Sequence, residues 1–169
     1  MDYIFQQGYL DSLCGVYSVV NADKIINKTS YNKSQRLFNS IVRYLFEINE
    51  LDSIIKGIIY TRLIDILNRF LGKRLTIIAL HRKFKTLDSW WQYSKDFLDT
   101  NKNSAIIITI GGVYDHYTVV TSMTDKTMTL ADSGMIKRIL KSVCELKGYK
   151  DKDKYIIYPY QCVYLLRGE

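Results

Sequence analysis

A cysteine that stands where a helix should begin is the first candidate for chemistry in this sequence. Asp11 and Ser12, both good helix N-caps, precede an apolar run that contains Cys14. The unpaired amide groups and the positive dipole end at a helix N-terminus stabilise an anion, which favours a reactive thiolate. The alternative is that Cys14 is a small core residue, the commonest fate of a free cysteine. Cys144 and Cys162 have no base near them in the sequence and are expected to be inert.

A histidine and an aspartate sixteen residues apart are candidates for the base that a cysteine nucleophile needs. His116 begins a predicted strand over 116–122, and Asp132 ends another over 127–132. A hairpin of these strands, with its turn centred near residue 124, places the two side chains opposite each other, so that the carboxylate can accept a ring N–H. Such a pair fixes the tautomer of the imidazole and favours its charged form. A β-bulge would shift this register by one residue, and the alternative is that both are surface residues at strand ends.

Two glutamines that precede the cysteine are candidates for an oxyanion hole. Gln7 lies seven residues before Cys14 and Gln6 eight, so either side-chain amide can fold back beside the start of the helix. Together with the backbone N–H of Cys14, such an amide would stabilise the negative oxygen of a tetrahedral acyl intermediate. The alternative for each is a solvated loop glutamine.

The segment from Gln7 to Tyr17, which reads QGYLDSLCGVY, resembles the nucleophile segment of papain-like cysteine peptidases. Within that superfamily it is most similar to small bacterial peptidases related to the leader-cleaving (double-glycine) peptidase domains of peptide-exporting ABC transporters. Those peptidases share the chain order of a Gln, a Cys-Gly pair, a His and an Asp. The resemblance implies a papain-like fold with Cys14 as nucleophile, His116 as general base and acid, Asp132 as orienting carboxylate and Gln7 as oxyanion donor.

The chemistry that the resemblance implies is acyl transfer through a cysteine acyl-enzyme, with a protein or peptide as substrate. Hydrolysis of a peptide or isopeptide bond makes the protein a cysteine peptidase, which is the first expectation. Attack on a glutamine side chain by the same triad makes it a deamidase, or a transglutaminase-like toxin or effector when an amine replaces water. A catalytically silent module that keeps the papain-like fold as a binding surface is the third hypothesis. No cofactor is expected in any of the three.

The elements that must position these residues are mostly helical in the first half of the chain and mostly extended in the second. Apolar stripes predict helices that begin near residue 12 or 13, at Ser34, at Tyr60 and near Leu87, and Gly72 ends the third of these. Strands are predicted at 75–80, 105–110, 116–122, 127–132, 155–158 and 162–166. Residues 136–147 are ambiguous because their apolar spacing is helical. The pattern predicts an α+β fold, with a helical N-terminal half packed on a C-terminal antiparallel sheet.

Composition narrows the class of protein further. The 169 residues, 47% of them apolar and 24% charged, are expected to form a single globular domain over residues 1–169. Three cysteines without a CxxC pair, together with only two histidines, argue against a disulfide framework and a metal site. The apolar runs are too short to span a membrane, and the N-terminus lacks a secretory signal. The expected location is the cytoplasm, or delivery as an effector without a visible signal.

The net charge of +7 is concentrated in one segment. Residues 137–154 hold seven basic and three acidic side chains, an excess of four positive charges. Such a segment can attract an acidic protein partner or nucleic acid. Alternating Lys and Asp at its centre favours a solvated loop, so nucleic acid is not the expected partner, and an acidic protein partner stays open.

Overall fold

The computed structural model describes residues 4–8, 11–80, 83–146 and 153–168, which form an α+β structure. Its described α-helices are α1 (Cys14–Asn27), α2 (Tyr31–Glu47), α3 (Leu51–Lys56), α4 (Tyr60–Leu71) and α5 (Leu87–Thr100). Its described strands are β1 (Leu75–Ala79), β2 (Ser104–Gly112), β3 (His116–Met123), β4 (Thr127–Leu130), β5 (Arg138–Leu140), β6 (Cys144–Leu146), β7 (Tyr155–Ile157) and β8 (Val163–Arg167). The predicted α+β class is confirmed, whereas α3 was not predicted. None of the described helices has both the length and the apolarity needed to cross a membrane.

The strands form one sheet with the order β1-β8-β2-β3-β4-β5, and neighbours along this path are antiparallel. Strand β7 pairs antiparallel with the end of β2 and parallel with β6. The β6–β7 pair therefore departs from the wholly antiparallel sheet predicted from the sequence. This topology places the start of β3, where His116 lies, beside the end of β2.

Both faces of the sheet are covered, which explains the uninterrupted apolar run in β2. Ala105 and Ile107 pack in the cluster that contains buried residues of α1, α2 and α4. Ile106 and Ile108 point to the opposite face and pack with Trp90 and other residues near α5. Because side chains alternate along a strand, a strand covered on both faces needs apolar residues at every position. The sheet thus lies between α1, α2 and α4 on one face and α5 on the other.

Helix α1 begins at Cys14 without a side-chain cap. Leu13 occupies the N-cap position, and no side chain accepts a hydrogen bond there. The carboxylate of Asp11 instead accepts the N–H of Leu13 at 3.2 Å and that of Gly8 at 2.8 Å, so it braces the loop before the helix. The prediction that Asp11 or Ser12 caps the helix is wrong. As a result, no N-cap side chain competes with the site for the amide groups in the first turn of α1.

Residues 138–146 form two short strands joined by a 3₁₀ turn, not a helix. Ile139 is buried, while Arg138 and Leu140 on either side of it are exposed, which is the alternation of a strand. The basic segment is partly paired within the chain, since Lys141 lies 2.7 Å from Asp88. Residues 147–152, which include the centre of this segment, lie outside the described residues.

Candidate active site

The structure places Cys14 at the first residue of α1, half-buried and at the wall of a cleft. The other two cysteines are less exposed than Cys14: Cys144 is 4% exposed and Cys162 is fully buried. Burial raises the pKa of Cys144 to about 12, and it raises the pKa of Cys162 further. Cys14 is therefore the thiol that a substrate in the cleft can reach.

His116 is the first residue of β3, and its ring is buried between Cys14 and Asp132. The Nε2 atom lies 2.7 Å from Oδ1 of Asp132, which leaves Nδ1 as the ring nitrogen that can meet the thiol. Burial opposes the charged form of the ring, but the hydrogen bond to Asp132 and the interaction with Cys14 outweigh it. Together they raise the pKa of His116 to about 9.

Asp132 is held by hydrogen bonds on both of its carboxylate oxygens. Oδ1 bonds to His116, and Oδ2 accepts the backbone N–H of Gly134 at 2.8 Å and that of Ile136 at 3.0 Å. Burial alone would favour the neutral acid, yet the bond and the charge of His116 keep the pKa of Asp132 below its usual range. The carboxylate is thus ionised and fixed in orientation, so it also fixes the imidazole ring.

The His116–Asp132 pair forms by a different register from the one predicted. Strand β4 ends at Leu130, which pairs with Val120, and a β-bulge interrupts the ladder between Val120 and Ser122. Asp132 therefore lies in the loop after β4, and continuing the register places it opposite Thr118 rather than His116. The prediction of two directly opposed residues is wrong. The contact survives because a diagonal neighbour two residues along is still within reach of a long side chain.

Gln7 lies where the loop before α1 meets the loop after Asp132. Its backbone N–H donates to the carbonyl of Ser133 at 3.1 Å, and its side-chain Oε1 accepts the hydroxyl of Ser133 at 3.3 Å. Its Nε2 donates to the carbonyl of Asp11 at 3.2 Å, which uses one of the two amide hydrogens. Gln6 is exposed and borders a different cavity. Of the two glutamines, Gln7 is the one that the fold ties to the loops around the site.

Asn21 holds the segment that carries Gln7. Its side chain is fully buried in α1, where Oδ1 accepts the N–H of Phe5 at 2.9 Å and Nδ2 donates to the carbonyl of Phe5 at 3.0 Å. A buried side-chain amide that bonds to both the backbone N–H and the backbone C=O of one residue takes the place of a neighbouring strand. It therefore fixes the path of the chain at that residue. The sequence carried no signal of this contact, because Asn21 looks like an ordinary polar position on a helix.

The cleft beside Cys14 and His116 has a volume of about 380 Å³. One wall comes from the connection between α3 and α4. The other comes from the end of β2, the start of β3 and the 3₁₀ turn before β8. The residues of these walls outside the triad are Lys56, Gly57, Ile58, Thr109, Ile110, Asp115, Tyr117, Tyr158, Tyr160 and Gln161. Sequence analysis did not identify the two walls, because their segments are far apart in the chain and carry no motif.

Two neighbours of the triad fit closely against it. A Cβ atom on Gly15 would lie 2.5 Å from two side-chain carbons of Ile58, so only glycine fits there without a shift of the cleft wall. The ring of Tyr114 lies over that of His116, with centroids 4.8 Å apart and planes tilted by 35°. Both contacts limit the space in which the imidazole and the thiol can move.

Within the described residues, no group of three or more His, Cys, Asp or Glu side chains is arranged to hold a metal ion. In comparisons with known proteins, the chain matches no family model, no curated protein and no solved structure significantly. The geometry of the site is therefore the basis for assigning a function.

Proposed function

We propose that this protein is a papain-like cysteine hydrolase that cleaves a peptide or isopeptide bond through Cys14, His116 and Asp132. The observation that carries the proposal is the position of one imidazole between a thiol at a helix start and a buried carboxylate. A nucleophile, a base and a group that orients the base are the parts that acyl transfer by cysteine requires. The order of these residues along the chain, and the helices that precede most of the sheet, agree with the papain-like resemblance.

The charge state of His116 supports a reactive thiolate. With a pKa of about 9, the ring is an imidazolium at neutral pH. A positive ring beside Cys14, added to the positive end of the α1 dipole, stabilises the anionic form of sulfur. Asp132 compensates the charge of the ring on its other side, so the ion pair does not leave a buried charge alone.

In the first half of the reaction, the thiolate of Cys14 attacks the carbonyl carbon of the scissile amide and a C–S bond forms. The negative charge moves to the carbonyl oxygen, where the backbone N–H of Cys14 and the side-chain amide of Gln7 hold it. His116 then gives its proton to the amide nitrogen, and the C–N bond breaks. The amine leaves, and a thioester on Cys14 and a neutral imidazole remain.

In the second half, neutral His116 takes a proton from a water molecule, whose oxygen attacks the thioester carbon. The C–S bond breaks, the carboxylic acid product leaves, and the proton that stays on His116 restores the ion pair with Cys14. One amide and one water have become one acid and one amine. The cleft has room for a few side chains. A protein or peptide as the acyl donor follows from the papain-like resemblance.

Alkylation with low concentrations of iodoacetamide near neutral pH tests the nucleophile directly. We expect Cys14 to be modified much faster than Cys144 or Cys162, because those thiols are buried and protonated. The variant His116→Ala should remove this preference, whereas Cys144→Ser should leave it unchanged as a matched control. Equal and slow labelling of all three thiols would contradict the proposal and favour a silent binding module.

Mass spectrometry of candidate protein substrates then identifies the reaction. A peptidase fragments the substrate, and Cys14→Ala abolishes the fragments. An intact substrate that gains only the mass of a Gln-to-Glu change, or that incorporates an added amine, would instead show a deamidase or a transglutaminase and would contradict the peptidase assignment.

A further inference from the structure

A carboxylate that the mechanism does not use lies in the same cleft as Cys14. Asp115 is exposed and lines the cleft next to His116. Among the residues that the structure describes, it forms no hydrogen bond and no ion pair. We propose that Asp115, with Tyr158 and Tyr160, binds a lysine or arginine side chain of the substrate near the scissile bond. This proposal rests on the proposed function, because it names the substrate class of the same site.

The carboxylate of Asp115 and the hydroxyl of Tyr158 both pack against Gly111. A Cβ atom on Gly111 would lie 2.9 Å from Oδ1 of Asp115 and 2.6 Å from the hydroxyl oxygen of Tyr158. No side chain fits at residue 111, so glycine is what lets these two oxygens pack this closely together. An ammonium or guanidinium group carries several N–H donors, which can bond to both oxygens at once.

Two aromatic rings line the same cleft as this carboxylate. Tyr158 and Tyr160 both line the cleft, with ring centroids 6.1 Å apart and planes at 88°. The faces of aromatic rings attract cations, and the aliphatic stems of lysine and arginine pack well against them. A cleft that holds a carboxylate and two tyrosine rings thus suits a basic side chain better than a neutral or acidic one.

The positive groups of the cleft do not cancel the charge of Asp115. Lys56 lies on the opposite wall and forms an ion pair with Asp52 at 2.7 Å. The charge of His116 is compensated by Asp132 and by its interaction with Cys14. Among the described residues that line the cleft, Asp115 is therefore the charged group that lacks a partner of opposite sign.

Electrophilic peptides that differ in one charge test this proposal. The probes are N-acetylated dipeptidyl chloromethyl ketones with arginine, or its neutral isostere citrulline, at either the first or the second residue before the ketone. We expect the arginine probe to alkylate Cys14 about fivefold faster than the citrulline probe in one of these positions. A rate difference of this size is what the modest attraction of a partly exposed ion pair, with contacts to aromatic rings, would give. The second-order rate constants are measured by intact-protein mass spectrometry.

The variant Asp115→Asn should bring the arginine-to-citrulline ratio close to one while iodoacetamide still labels Cys14 at the wild-type rate. Gly111→Ala, whose added methyl group would displace the two oxygens without a change of charge, should lower the same ratio. Asp125→Asn, an exposed carboxylate in the turn at the other end of β3, is the matched control and should keep the wild-type ratio.

The two proposals fail in different ways. Equal rates for the arginine and citrulline probes, with fast and selective iodoacetamide labelling of Cys14, would overturn the cation site alone. A ratio that persists in Asp115→Asn would overturn it as well, because the charge would then be read elsewhere. Slow iodoacetamide labelling of Cys14 in the wild-type protein would overturn the proposed function and this inference together.

Discussion

Nε2 of His116 lies 2.7 Å from Oδ1 of Asp132, and the two side chains are only 2% and 0% exposed. Water is therefore excluded from the bond, and in such surroundings a charged hydrogen bond is stronger than in solvent. Neither group can lose its charge without leaving the other buried and uncompensated. The pair thus sets both the orientation and the protonation of the imidazole that faces Cys14.

Asp132→Asn should lower the pKa of His116 from about 9 to near or below its ordinary value of 6.5. The variant keeps an oxygen that can accept the ring N–H, but it removes the negative charge that stabilises the buried imidazolium. NMR titration of the ring measures this directly, and with two histidines in the chain the His116→Gln spectrum assigns the signal. We also expect kcat/KM near neutral pH to fall about a hundredfold. A ring that still titrates near pH 9 in the variant would contradict the prediction.

The same pair should make folding stability depend on pH. A group whose pKa is higher in the folded state than in the unfolded chain stabilises the fold most below its unfolded pKa, and this contribution is lost as pH rises through the folded value. For His116 this contribution is lost between pH 6.5 and about 9. Its full size is about 3 kcal/mol of unfolding free energy, which is the free energy that corresponds to this difference in pKa.

Urea unfolding at several pH values tests this window by comparing the wild-type protein with His116→Gln. The variant loses the buried ring at every pH, so its absolute stability is not the readout. We expect the difference in unfolding free energy between the two proteins to shrink as pH rises from 6.5 to 9. A difference that stays constant over this range would mean that His116 is not charged in the folded protein.

Gly15→Ala should destabilise the protein by about 1–3 kcal/mol, as overpacking of a close contact does. The new Cβ would lie 2.5 Å from Ile58 and 3.3 Å from Tyr117, both of which line the cleft. Ile58→Ala leaves room for the added methyl group, so the double variant should be more stable than the sum of the two single effects predicts. Urea unfolding of the four proteins completes the cycle, and strictly additive effects would show that the two residues do not compete for the same space.

Much of the fold could be predicted because its elements carry strong periodic signals. The β-branched run near Ile106 predicts a strand that is buried on both faces, and the apolar stripe that ends at Gly72 marks the end of α4. The segment around Ile139 was ambiguous because Leu140 and Val143 continue a helical spacing although both are exposed. Apolar residues on the surface imitate the pattern of a helix, and only the packing of the folded chain separates the two cases.

The candidate site could be predicted as a set of residues but not as a geometry. Side-chain chemistry singled out Cys14, His116 and Asp132, and the structure brings all three together. A β-bulge was considered as an alternative, but its presence after Val120 could not be decided, because nothing in the residue types there distinguishes it from a regular strand. The cleft walls and the role of Asn21 were also missed, since both depend on contacts between segments that are distant in sequence.

Asn21→Ala should impair catalysis through Gln7 and leave the thiol intact. Asn21 pairs with both backbone groups of Phe5, and the segment it holds is tied at Gln7 to Ser133, so its loss frees the segment at one end. We expect kcat to fall about tenfold, as for a weakened oxyanion donor, with little change in KM. Iodoacetamide labelling of Cys14, which needs no oxyanion donor, should stay near the wild-type rate.

Adding Asn21→Ala to Gln7→Ala should cause no further loss of kcat, because both changes remove the same donor. A further loss in the double variant, or a parallel loss of labelling, would show that Asn21 supports the helix start itself and does not act through Gln7.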